Sequence, residues 1–113
     1  MMMSKWITVD EGGGYKTRAR RIDTDAYSII VVEWQHPNYG YWADAGVFIS
    51  SLHSPEWSKR PDVDWFNRLS PAGFVMEYPQ FRWLFDGSPQ DRLFDRIRRK
   101  AREGCERLKF CIH

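Results

Sequence analysis

The alternation of apolar and polar positions divides the chain into a strand-like first half and a helical second half. Residues 5–9 form a short β-rich run. Asp10, Glu11 and three glycines, Gly12 to Gly14, follow as a turn, since glycine takes positive φ without steric cost. In the returning segment, 15–22, Lys16, Arg18 and Arg20 fall in one row and Tyr15, Thr17, Ala19 and Arg21 in the other, the period of a strand. A hairpin is predicted, its second strand exposed, with a basic row of the kind that keeps an edge from pairing with other chains. A polar turn at Asp23, Thr24 and Asp25 leads into 27–34, where Ile29 to Val32 are apolar on both faces, so this strand is expected at the centre of a sheet. After a turn-rich loop at 36–40, residues 41–50 resume the alternation. Ala43, Ala45, Val47 and Ile49 share one face, and Trp42, Asp44, Gly46 and Phe48 share the other. Connections this short cannot make parallel crossovers, so the first half reads as an antiparallel meander of about four strands.

Three Ser-Pro pairs punctuate the second half: Ser54-Pro55, Ser70-Pro71 and Ser88-Pro89. Each suits the start of a helix, because serine caps well and proline is tolerated at the first helical position. Only the third is backed by a capping-box spacing, Ser88 to Asp91, and by Leu93, Phe94, Ile97, Ala101, Cys105 and Leu108 at helical intervals. A C-terminal amphipathic helix over 91–109 follows, its apolar stripe expected to pack on one face of the sheet. Gly104 weakens its last turns by about 1 kcal/mol relative to alanine. Val63, Phe66 and Leu69 suggest a short helix at 62–69, with Trp65 as a core packer. Residues 72–87 receive no assignment, because Pro79 interrupts their apolar run. The architecture expected is α+β, one globular domain over 1–113.

Composition sharpens this in one respect. The 18 aromatic residues equal Ile, Val and Leu taken together, so the core is largely aromatic or some rings are left for a surface. The net charge is only +2, which argues for neither nucleic acid nor an anionic membrane. Its distribution is uneven, since eight Lys or Arg and four Asp or Glu lie within 91–109. Asp95 with Arg99, Arg102 with Glu106 and Glu103 with Arg107 have the spacing of helix-stabilising pairs, leaving Arg92, Arg96, Arg98 and Lys100 as the unpaired cations. The longest uninterrupted aliphatic run, Ile29 to Val32, is far short of the roughly 18 residues a transmembrane helix needs. No basic-then-apolar leader opens the chain, so the expected location is cytoplasmic. Cys105 and Cys111 are read as reduced thiols, and neither they nor His113, His36 and His53 show the tight pairs of a structural zinc site. No metal or other cofactor is expected.

Candidate chemistry is sparse. His36 and His53, with Glu33, Asp44 or Glu56, are the only pairings suited to acid and base work, and no nucleophile elbow, metalloprotease or phosphate-loop motif accompanies them. An enzyme is therefore not expected. Four large aromatics in nine residues, Trp34, Tyr39, Tyr41 and Trp42, surround a turn, and tyrosine and tryptophan are favoured at interface hot spots. Alternation sends Tyr41 and Trp42 to opposite faces, so Tyr41 is the one expected to join Tyr39. The expected function is that of a small accessory or inhibitor-type protein that binds another protein through Tyr39 and Tyr41, with Arg92 and Arg96 as the next contact surface. The alternative is nucleic-acid binding through Lys16, Arg18 and Arg20 on the basic strand and Arg98 and Lys100 on the helix.

Overall fold

Period-two alternation builds the first half as an antiparallel sheet in the computed structural model, which describes residues 1–59 and 70–112, with side chains in the last helix as far as Gly104. Among these residues the strands are β1 (Met2–Met3), β2 (Ile7–Gly12), β3 (Tyr15–Asp23), β4 (Tyr27–Gln35), β5 (Ala43–Ser51) and β6 (Ser58–Lys59). β1 and β2 both lie along β3, and β3, β4, β5 and β6 follow in meander order. The strand carrying Lys16, Arg18 and Arg20 is thus internal, flanked by β2 and β4. Its basic row protects no edge; it lies on one face of the sheet.

The opposite face is the core face, where Thr17, Ala19, Ser28, Ile30, Val32, Phe48 and Ser50 are buried. β5 departs from simple alternation. Val32 faces Gly46 and Glu33 faces Asp44, leaving Ala45 as the extra residue of a bulge. Ala45 and Gly46 are both buried. The bulge shifts the phase of the strand, so Phe48 shares the core face with Ala45 while Val47, opposite Val31, lies on the other face with Ile49.

The core face is covered by the segment that the sequence left unassigned. Ser70 accepts a hydrogen bond from the Gly73 N–H at 3.1 Å and opens α1 (Pro71–Glu77). Pro79 then starts a 3-10 segment, Pro79–Phe85, rather than breaking the structure. Phe74, Phe81 and Leu84 are fully buried. Phe74 stacks on Phe81 at 5.5 Å and tilts against Phe48 at 5.0 Å, and Phe85 meets Phe48 and Trp57 edge-on. Much of the aromatic excess is therefore core. The 3-10 segment is latched at both ends. Tyr78 donates to Glu11 at 2.6 Å, and burial together with that carboxylate pushes its phenol up to about 12. Trp57 Nε1 donates to the Phe85 carbonyl at 3.0 Å.

A polar hub also ties the C-terminal end of the 3-10 segment to the sheet. Arg21 shares the core face with Thr17 and Ala19, and its guanidinium donates to Asp23 Oδ1 (2.9 Å), Ser28 Oγ (3.0 Å) and the carbonyls of Leu84 (2.8 Å), Gly87 (3.0 Å) and Asp86. Burial opposes the charge on Asp23, but hydrogen bonds from Arg21 and Ser28 and the charges of Arg21 and Arg92 outweigh it and hold this carboxyl below its ordinary range.

α2 (Pro89–Ile112) begins at the expected cap, with Ser88 and Asp91 exchanging side-chain and backbone hydrogen bonds at 3.2 and 3.0 Å. Its docking is more limited than its stripe implies. Pro89 is buried and Gln90 donates to the Leu52 carbonyl, but Phe94 and Ile97 are 52% and 53% exposed. Among the described side chains the helix meets the sheet through its first turns, because α1 and the 3-10 segment already occupy the face it was expected to cover. The molecule is accordingly long, 71 Å by 24 by 22 Å. The short helix expected at 62–69 with Trp65, and the side chains of Cys105, Leu108, Cys111 and His113, lie outside the described residues.

Candidate functional site

The β4–β5 loop gathers a line of rings at one end of the sheet. The Tyr39 N–H donates to the His36 carbonyl at 3.0 Å and closes the turn, while the Asn38 N–H donates to His36 Nδ1 at 3.1 Å. That bond assigns the imidazole hydrogen to Nε2, 3.2 Å from the Tyr15 hydroxyl. The loop is also braced from the neighbouring hairpin. Gly14 has φ of +86°, and a Cβ there would stand 2.6 Å from the Pro37 Cβ, so only glycine permits the two turns to touch.

On this support the rings form a continuous series. Tyr15 meets His36 edge-on at 4.9 Å, His36 meets Tyr39 at 5.2 Å and Tyr39 meets Tyr41 at 5.5 Å. Tyr39 and Tyr41 are 53% and 62% exposed. With Trp34, His36 and Ala43 they line a cavity of about 330 Å³ that carries no Asp, Glu, Lys or Arg among the described residues. Tyr15 and His36 were not among the expected contact residues. Strand pairing brings them here, since Lys16 lies opposite Gln35 and Tyr15 and His36 are the next residues out. A larger groove of about 630 Å³ lies between Trp57, Val75, Met76 and Phe85, and among the described residues Arg82 and Asp86 are the charged groups that line it.

Trp42 goes to the opposite face from Tyr41, as alternation requires. There its ring and that of Trp6 lie 4.2 and 4.0 Å from the Arg18 guanidinium, which also donates twice to Glu33 Oε1 at 2.6 and 2.8 Å. Arg20 stacks on Trp6 at 4.4 Å. The charge of Arg18 is thus neutralised and its faces are covered, which removes the middle of the basic row as a phosphate grip.

The helix residues separate into two groups. Arg92 points inward, donating to Asp23 (3.2 Å), Ser28 (2.6 Å) and the carbonyls of Thr24 (2.8 Å) and Tyr27 (3.1 Å). It clamps α2 to the β3–β4 turn, so its guanidinium is already engaged within the domain. Arg96 is exposed, 3.8 Å from Asp25, and Lys100 is exposed. Asp95 pairs with Arg98 rather than with Arg99. Glu33 is held by Arg18, and both nitrogens of His36 have partners, so the expected acid and base candidates are not brought together. His53 is exposed. Among the described residues no group of three or more metal-ligating side chains converges. Comparison with family models, with curated proteins and with solved structures finds no match to this chain.

Proposed function

We propose that the protein is a small, non-enzymatic binding protein of accessory or inhibitor type that covers a surface of another protein, with Tyr39 and Tyr41 as its anchors. The observation that carries this reading is the exposed Tyr39–Tyr41 pair on a loop braced at Gly14 and Pro37. Rings held in place before binding lose little entropy on contact, and tyrosine supplies a large apolar area with a polar tip. The nucleic-acid alternative draws its remaining support from the exposed cations of α2, since Arg18 is paired and sandwiched.

Tyr39→Ala combined with Tyr41→Ala is expected to leave the thermal midpoint within a few degrees of the parent, because both rings are more than half exposed. Binding to the partner captured by the tagged parent, with nuclease treatment as a control, should weaken by about 2 kcal/mol or more. A double variant that unfolds would make these rings structural. One that keeps the parent's affinity would place the contact surface elsewhere.

A further inference from the structure

Beyond Arg92, α2 presents an apolar stripe that the described residues leave largely uncovered, with Leu93 partly buried and Phe94, Ile97 and Ala101 exposed. Projected at helical spacing, Leu93, Phe94, Ile97 and Ala101 span about 100° of the circumference, with Lys100 bordering one side and Arg98 the other. Phe94, Ile97 and Ala101 have the i, i+3, i+7 spacing of a helix that lies in a groove. Five cations and no acid fall between Arg96 and Arg102. Asp95 pairs with Arg98 and Asp25 stands beside Arg96, while among the described residues no ion pair holds Arg99, Lys100 or Arg102. Gly104 lies inside the stripe and costs the helix about 1 kcal/mol relative to alanine. Nothing lies within 4 Å of where its Cβ would be, so the domain's own packing does not require glycine there.

From this relief and charge we infer that α2 is a docking helix for an apolar groove rimmed by carboxylates on a partner protein. Phe94 and Ile97 are the knobs, Ala101 and Gly104 the notch, and the flanking arginines and lysine meet the rim. A second copy of the chain fits less well, since pairing two such stripes brings like charges together along both borders. A bilayer rewards buried apolar area and anionic attraction but gains nothing from a notch, whereas a protein wall can fill it. The inference concerns a different surface from the tyrosine pair and does not depend on it.

The test uses the full chain and calcium-loaded calmodulin as the probe, a protein whose apolar groove opens with calcium and accepts basic amphipathic helices. Titration calorimetry is expected to give a Kd of about 10 μM or tighter, with binding lost on chelating the calcium. Ile97→Asp should weaken it by about tenfold or more, and so should reversing both borders of the stripe with Arg98→Glu and Lys100→Glu, which are exposed, and this keeps the test informative if the first variant disturbs the helix. The Tyr39→Ala, Tyr41→Ala variant should bind as the parent does. Absence of binding, binding that persists without calcium, or indifference to the charge reversal would overturn the inference. So would a dimer in sedimentation that Ile97→Asp dissolves. Tighter binding to phosphatidylserine vesicles or to random duplex DNA than to calmodulin at physiological salt would also count against it.

Discussion

Phe74→Ala is expected to cost about 3 to 5 kcal/mol, a large share of the roughly 5 to 15 kcal/mol that holds a domain folded. Phe74 is fully buried and touches rings from two sources: Phe48 of β5 on one side, and Tyr78, Phe81 and Phe85 of the covering segment on the other. Alanine leaves a cavity where these meet, and rings fixed by one another cannot easily collapse into it. Ile97→Ala is the informative contrast, with an expected cost of about 1 kcal/mol or less because half of that side chain is already in water. Urea unfolding of both variants reads the difference directly, as a shift in midpoint at unchanged slope. Equal small losses would mean that the aromatic segment is not the cover of the sheet. A loss of several kcal/mol at Ile97 would mean that α2 packs on the domain along its length.

The contrast reflects what was legible in the sequence. Alternation predicts β3 and β5 because each shows one face to the core and one away from it, while β2 is read from its β-rich composition and β4 from a run apolar on both faces. Tyr41 and Trp42 parted as predicted for the same reason. The phase of β5 departs from the predicted alternation at one residue, since a bulge at Ala45 moves every later side chain to the opposite face. Gly46, a lone glycine in a strand, was the available signal. In the covering segment Pro79 hid a helical rhythm, for Phe74, Tyr78, Phe81 and Phe85 are spaced four, three and four apart across it. Proline ended one helix and began the next. The stripe of α2 was legible as amphipathic, but periodicity reports that a face is apolar and not what covers it. Alternation sets Arg21 on the face of Thr17 and Ala19, where a cation must find partners, but it does not say which carbonyls or carboxylate will supply them.

That arginine carries the second large effect. Arg21→Met keeps most of the apolar stem and removes every donor, so Asp23 loses its closest cation and the carbonyls of Leu84, Asp86 and Gly87 lose a shared partner. Arg21 and Asp23 are only partly buried, so removing one member of this charged network is expected to cost about 2 to 3 kcal/mol, below the roughly 3 to 5 kcal/mol of a fully buried pair. Arg92 remains on Asp23 at 3.2 Å, which limits but does not replace what is lost. The pH dependence separates this cause from packing. In the parent, Asp23 has a folded-state pKa below its ordinary value, so its contribution is fully present above about pH 4, where the unfolded carboxyl is also ionised. It is lost as pH falls through the lowered folded value, because both states then bind the proton. In Arg21→Met the main hydrogen bond favouring the charge is gone while burial still opposes it, so the acid loss attributable to Asp23 shrinks or changes sign. The stability gap between parent and variant should therefore be widest near neutral pH and narrow toward pH 2, read from urea midpoints at successive pH values. A gap that stays constant would show that the variant's cost comes from the three orphaned carbonyls and the lost stem contacts alone, with no contribution from the Asp23 carboxylate.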